Sequence, residues 1–586
     1  MQRRKLIFLL LISFILLGAI LRFTNLNWDS FLAFHPDERN IAWAVTRIHF
    51  FDQLNPKFFA YGGLPIYLYR ALAEAVVFIT KDPSWLTEWG KIAVIGRYVS
   101  ATLSTISLLL IYLVGSSYFS RATGLASVAL LAFSPWAIQQ AHFATTETML
   151  VFFLLFLLLT ARGGVSFRSA VTALANWIPW RRSRLDLDGA RQRHADLSAV
   201  GSGIILGLAL AAKTTSILFA VIPLAALWLH GFDKKTLERH FVKTFLFPKL
   251  RSTIAFLAVA AGTFLIFSPY TVIDRVHFLE SMRYETGVVI GKFTVPYTLQ
   301  FLGTTPYLYQ FQTMLWQAGP MVLMGIVGIM TLFVFLFLKR GEKQRRIIVF
   351  LIFPLLYFVW SGLWFAKFSR YNVLFLPFLT IAAAWLMTAW IKRFRVSGLA
   401  GVALLLSSTA FLGVANWTIY LRPQTRIEAS AWMYQHISEN SLIYTEHWND
   451  GLPVTLPGWK TVSLHRELVT PYEQDIETKT DYWADKLSAG DYFIFTTPRI
   501  SRTMPKLTEK YPITSRVYQR IFSGELGYQE VATFTSYPQL FSISINDDAA
   551  EETLSVFDHP TVRIFQNTEK YSKEELKERI MSWVGS

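Results

Sequence analysis

Four consecutive residues, His35-Pro36-Asp37-Glu38, place an imidazole and two carboxylates just beyond an apolar run that ends near Arg22. Charges at the margin of a membrane cost desolvation energy unless they are solvated, paired or used, which makes them functional candidates. The two acids are adjacent, so on any regular backbone they diverge and cannot face each other as glycosidase carboxylates do. They must have different tasks. One carboxylate within hydrogen-bond reach of an acceptor hydroxyl can act as general base; the other can orient it, bind an acceptor group or help hold a cation. Helix capping competes for Asp37, because Pro36 and Asp37 also make a start for a helix over 38–50.

Further candidates lie at other polar breaks in apolar sequence. Glu147 in Thr145-Thr146-Glu147 opens an apolar run, as an acid or as a helix-dipole partner. Lys213 in Ala211-Ala212-Lys213-Thr214-Thr215 is either a snorkelling anchor or a neutraliser of a lipid phosphate. Arg370, in Phe368-Ser369-Arg370-Tyr371, offers a planar fork to a phosphate, or anchors the interface with Tyr371. His35, His142 and His277 could supplement the carboxylates around a divalent metal, but no His-x-x-His or Cys spacing defines such a site. No cofactor is otherwise expected.

The elements that must position these groups are membrane helices. The 586 residues are 53% hydrophobic and 16% aromatic, with no cysteine, which excludes disulfides, thiolate metal sites and cysteine nucleophiles. A net charge of +16 is unevenly spread: residues 421–586 carry 17 Lys and Arg against 23 Asp and Glu, leaving 39 against 17 for residues 1–420. Eleven crossings are expected, near 6–22, 92–115, 122–141, 146–161, 199–212, 214–230, 252–270, 318–338, 347–364, 371–391 and 398–419, each close to the length a bilayer needs. The stretch 65–80, with Arg70 and Glu74, reads as a helix lying at the interface.

With the N-terminus inside, the intervening cytoplasmic segments hold 25 Lys and Arg against 6 Asp and Glu. That asymmetry fixes the orientation in the plasma membrane and makes Arg181, Arg182, Arg184, Arg191 and Arg193 topogenic rather than nucleic-acid-binding. The same parity puts His35 to Glu38, His142 to Glu147, Lys213, the loop 271–317 and Lys367 to Tyr371 on the outer face. The loop is long for a connector. Its Arg283, Glu285 and Lys292 are polar contacts if it folds over a substrate, and its aromatics otherwise form an interfacial belt.

At Leu421-Arg422-Pro423 the chain turns polar, giving a module over 1–420 and a soluble extracytoplasmic α/β domain over 421–586. In the latter, 428–436 has helical spacing, 441–446, 491–496, 531–534 and 561–565 read as strands, and 571–584 reads as a helix capped by Ser572. His447, Trp448 and Asp450 are either a glycan contact or turn residues.

Taken in order, His35-Pro36-Asp37-Glu38, Ser134-Pro135 through His142 to Glu147, Gly207 to Lys213, and Arg370-Tyr371 before an apolar run with Pro377 resemble the polytopic C-type (GT-C) glycosyltransferases. That group includes the dolichyl-phosphate-mannose protein mannosyltransferases and the aminoarabinose transferases of lipid A. The resemblance spans roughly residues 1–420 and implies a helical GT-C fold and transfer of a sugar, hexosyl or pentosyl, from a polyprenyl-phosphate donor to an acceptor hydroxyl of protein, lipid or glycan. By that similarity Asp37 is the catalytic base, Glu38 its neighbour in organising the site, and Glu147 the second acid, where the family commonly has Asp. Lys213, Arg370 and Arg97 are then donor-phosphate contacts. The alternatives are a transporter or flippase of lipid-linked sugars, for which midplane polar residues and inverted repeats are expected and no repeat is found, and a non-catalytic scaffold.

Overall fold

The computed structural model describes residues 2–161, 187–229, 246–456, 458–459 and 463–582; the basic stretch Arg181 to Arg193 lies outside the residues whose side chains are described. The chain divides into two compact units, one of Met1–Leu26, Phe31–Gly287 and Pro306–Trp417, the other of Asn27–Ser30, Val288–Thr305 and Thr418–Ser586. The larger is helical throughout. Its helices are α1 (Gln2–Phe23), α2 (Pro36–Thr46), α3 (Gly63–Thr80), α4 (Trp89–Tyr118), α5 (Arg121–Ala132), α6 (Pro135–Ala141), α7 (Glu147–Ala161), α8 (Leu187–Ala212), α9 (Val221–Leu229), α10 (Phe247–Phe267), α11 (Arg275–Val289), α12 (Leu308–Ala318), α13 (Pro320–Leu338), α14 (Glu342–Gly362), α15 (Leu376–Arg393) and α16 (Arg395–Trp417).

Among the described residues, eight helical runs are long and apolar enough to cross a membrane, and the bent pair α5 and α6 makes a ninth. Ser134-Pro135 breaks that pair by 61°, since a proline inside a helix would clash with the preceding turn and here instead starts the next one. The runs expected at 146–161, 199–212 and 214–230 are present as shorter apolar helices. One difference is α3, expected to lie at the interface, which has the length and hydropathy of a span. Its charges neutralise each other: Arg70 Nη2 lies 2.7 Å from Glu74 Oε1 one turn away, so the rest of the helix presents apolar surface.

Close approach of backbone positions the break after α8. A Cβ at Gly62 would fall 2.0 Å from the Ala211 carbonyl oxygen, and the Gly62 amide donates to Ala212 O at 3.0 Å. Only glycine admits that contact, which draws the end of α8, and with it Lys213, against Tyr61.

The smaller unit is an α/β domain. Strands β1 (Leu442–Glu446), β2 (His465–Val469), β3 (Tyr492–Phe495), β4 (Tyr528–Phe534) and β5 (Val562–Asn567) form a sheet of order β2-β1-β3-β5-β4. β1 is parallel to β2 and β3, and β5 is antiparallel to β3 and β4. Alternation sets the two faces. Phe493, Phe495 and Phe565 pack with Trp483, Val517 and Ile521, while Ile443, Ile494 and Ile564 pack with Ala429 and Met433. Those partners come from α17 (Thr425–His436), α18 (Lys479–Ala489) and α19 (Pro512–Ser523), and α20 (Lys573–Met581) closes the chain with Ser572 in a capping box with Glu575. The aromatic stretch expected as lid or belt contributes to this unit: Leu299 is in its core, and the Tyr297 ring lies 6.1 Å from that of Trp448.

Candidate active site

Helix α2 resolves the competition between cap and site at Asp37. Its N-cap is His35, whose Nδ1 accepts a hydrogen bond from the Asp37 amide at 3.2 Å, with Pro36 in the first turn. Capping is therefore done by the imidazole. The Asp37 carboxylate instead pairs with the Arg370 guanidinium, both side chains being mostly buried. Arg370 also lies over the Phe368 ring, 4.6 Å from its centroid, and its Nε has no hydrogen-bond partner among the described residues.

A second acid–cation pair adjoins the first. Lys213, in extended backbone between α8 and the following 3-10 turn, places Nζ 3.0 Å from Glu147 Oε1. The same ammonium lies 5.4 Å from the Tyr61 ring centroid and 5.5 Å from that of Tyr371, where the negative ring faces favour a cation. Glu147 Oε2 has no partner among the described residues, and Arg370 acts electrostatically on Glu147 as well as on Asp37. One cluster thus contains Asp37, Glu147, Lys213 and Arg370.

Two further residues belong to it. Burial pushes the Glu285 carboxyl, on α11, above its usual pKa, with Lys213 and Arg370 opposing and Asp37 adding to the shift. Burial, reinforced by the charge of Asp37, raises the Tyr61 hydroxyl well above its ordinary range, so it stays a neutral donor. Glu285 is visible in the sequence only as a loop acid, and nothing local marks it or Tyr61, because both arrive by long-range packing.

Other candidates are placed elsewhere. Glu38 and Arg97, read as acid and phosphate contact, are fully buried against each other, with Arg97 Nη2 2.5 Å from Glu38 Oε2 and Arg97 Nε 3.0 Å from Glu38 Oε1. Glu38 Oε1 also accepts from the Ala144 amide at 2.6 Å, and Arg97 donates to Leu26 O at 3.0 Å. An interior carboxylate needs a charged partner, and this pair lies apart from the Asp37–Arg370 pair, with both side chains fully buried. His142 is likewise interior, with Nδ1 2.8 Å from Ile138 O and Nε2 2.9 Å from Thr24 O. Arg283 is exposed on α11. His277 pairs with Asp274 at 2.5 Å. With the three histidines so committed, no group of three His, Asp or Glu among the described residues makes a metal site.

No family model matches the chain, and no curated protein does. Solved structures do match. The oligosaccharyltransferase of Archaeoglobus fulgidus, tethered with an acceptor peptide containing the NVT sequon, is 14% identical over 92% of this chain and 75% of its own, with a TM-score of 0.52. The chain has the GT-C fold. ArnT from Cupriavidus metallidurans, in the apo state, is 13% identical over 80% of this chain and 90% of its own at a TM-score of 0.41. The S. cerevisiae protein O-mannosyltransferase Pmt1-Pmt2 complex, bound to its sugar donor, is 16% identical over 51% and 37% at 0.31. Within the GT-C fold, the cluster around Asp37 draws its residues from α2, α7, α11, the break after α8 and the 3-10 turn before α15. It offers a carboxylate aligned by a guanidinium, and two cations with capacity to bind a further anion.

Proposed function

We propose that this chain is a membrane glycosyltransferase that moves a sugar from a polyprenyl-phosphate donor to an acceptor hydroxyl at the outer face of the plasma membrane, with the N-terminus cytoplasmic and the α/β domain extracytoplasmic. The observation that carries the reading is the Asp37–Arg370 pair beside Glu147–Lys213. Asp37 takes the acceptor hydroxyl proton, the acceptor oxygen bonds to the anomeric carbon, and the bond from that carbon to the phosphate oxygen breaks. The electron pair leaves with the polyprenyl phosphate. Its developing charge is met by Lys213 and Arg370, an arrangement of cations fixed in advance of the reaction.

The pairing suggests an order of events. In the resting pair Asp37 is engaged by the guanidinium; when the donor phosphate takes Arg370, the carboxylate is released toward the acceptor. Glu147 holds Lys213, and Glu285 and Tyr61 complete the polar wall. Glu38 and Arg97 are positioning residues that fix α2 against α4 and the Ala144 turn.

The test is Asp37→Asn in membranes supplied with lipid-linked sugar. Transfer is expected to fall by about a hundredfold or more, as loss of a general base does, with donor binding retained. Unchanged transfer sinks the assignment. Accumulation of lipid-linked sugar across sealed vesicles without transfer would favour a flippase instead.

A further inference from the structure

The helical unit carries a second polar feature that the proposed reaction does not use. A cavity of about 320 Å³ opens where α4 meets α5, α13 meets α14, and α15 ends. Four cations line it: Lys339 from the end of α13, Lys343 and Arg346 from the start of α14, and Lys392 from the end of α15. Among the described residues, no carboxylate lines it. Arg346 is ion-paired with the exposed Glu342 at 3.1 Å, while Lys339, Lys343 and Lys392 are in no ion pair among the described residues.

Apolar and aromatic side chains line it as well, the Lys339 ammonium lying 5.6 Å from the Phe335 ring centroid. The Trp385 ring lies 5.6 Å from that of Phe335 and 5.9 Å from that of Phe119. Hydroxyls floor it, with Thr388 Oγ1 3.1 Å from Thr123 Oγ1, which is 2.9 Å from Ser120 Oγ. Topogenic lysines need only lie in the right segment. These come from two segments, 339–346 and 392–397, and converge on one cavity, where Lys339, Lys343 and Lys392 are exposed and an anion among them would offset their mutual repulsion.

The place is also informative. The helical run Ser369–Arg393 carries Arg370 near one end and Lys392 near the other, a separation of roughly 30–35 Å by helical rise. That is about one hydrocarbon thickness, so the cavity is at the far end of the unit from Asp37. Tyr118, which also lines it, donates to Leu158 O at 2.9 Å, at the far end of α7 from Glu147.

We propose that this cavity binds the phosphate headgroup of an anionic phospholipid, with the cations on the phosphate and the aromatic wall against the glycerol and upper chains. Basic pockets between membrane helices suit such headgroups. The site is independent of the glycosyl-transfer reading and stands or falls separately.

The test uses the full chain in nanodiscs of dioleoyl phosphatidylglycerol mixed with dioleoyl phosphatidylcholine, with retained lipid read by native mass spectrometry. Phosphatidylglycerol is expected to be retained in preference. Lys392→Gln should weaken that retention about fivefold, and Lys339→Gln with Lys343→Gln and Lys392→Gln about a hundredfold, at about one surface-charge contribution per lysine. The corresponding triple Lys→Arg variant should keep it, and unfolding temperature in lipid-free detergent checks that each variant is folded. Equal retention of phosphatidylcholine, or a preference unchanged in the folded Gln variants, overturns the site. Displacement of the lipid by millimolar glycerol phosphate would assign the cavity to a soluble phosphate and overturn the lipid occupant.

Discussion

At Asp37 and Glu38, two neighbouring carboxylates have opposite fates. Asp37 pairs with Arg370 at a partly accessible position, whereas Glu38 is buried with Arg97 at 0% exposure for both side chains. The cost of breaking a buried pair lies in the charge left behind. Glu38→Leu or Arg97→Met alone should therefore destabilise the protein by roughly 3–5 kcal/mol, and the two together should recover most of it. Thermal unfolding in detergent checks this double-mutant cycle; additive losses would show that the pair is not the unit of stability. Sequence told the two acids apart only as pointing different ways. Which one met which arginine depended on where α4 and the turn before α15 arrive.

Among the elements, α2 links local folding to the site through its cap. His35 accepts from the Asp37 amide, so its removal leaves that amide unpaired and offers Asp37 the role its residue type suits. His35→Ala is expected to cost about 1 kcal/mol of stability and to lower transfer as Asp37 turns from Arg370 to the backbone, while His35→Asn, itself a capping residue, should retain most activity. Equal transfer rates for both variants would break the connection between cap and base. The long apolar helices were legible because lipid demands continuous apolar length. α3 was less so, since Arg70 and Glu74 cancel only once a helix places them one turn apart. In the α/β domain the buried strands β1 and β3 were readable from their apolar sequence, whereas β2 was not. His465 to Leu468 are exposed and only Val469 is buried, so that edge strand carries no apolar period.

Across the whole molecule, the α/β domain has its own response to pH. Burial raises the Glu446 carboxyl from an ordinary 4.5 to about 8, against hydrogen bonds from Tyr518 and Asn449. An acid raised on folding contributes fully below its unfolded value, and that contribution is lost as pH rises toward the folded one. Burial opposes charge on His559, but Asp558 and Asp547, whose oxygens lie 2.5 and 2.8 Å from its ring nitrogens, outweigh it and raise it from 6.5 to about 10. Its contribution is whole below about pH 6.5 and is lost by about 10. Both slopes have the same sign, so hydrogen-exchange protection of the domain should decrease from about pH 5 to pH 10. Glu446→Gln should flatten the lower part of that decline; an unchanged profile would remove Glu446 as its cause.

By itself the sequence determined that most of this chain is a bundle of apolar helices followed by an α/β domain, and it picked out Asp37, Glu38, Glu147, Lys213 and Arg370, with Arg97 and Arg283, as the charges worth asking about. Apolar length, charge asymmetry and polar residues at helix breaks are local quantities, and a linear chain carries them openly. Only the tertiary structure decided that Asp37 meets Arg370, 333 residues away in sequence, that Glu38 and Arg97 close on each other, and that Glu285 and Tyr61 join the cluster. Those outcomes depend on which helix ends pack side by side, and the energy that selects among partners at such separations is set by burial and geometry that no short stretch of sequence contains.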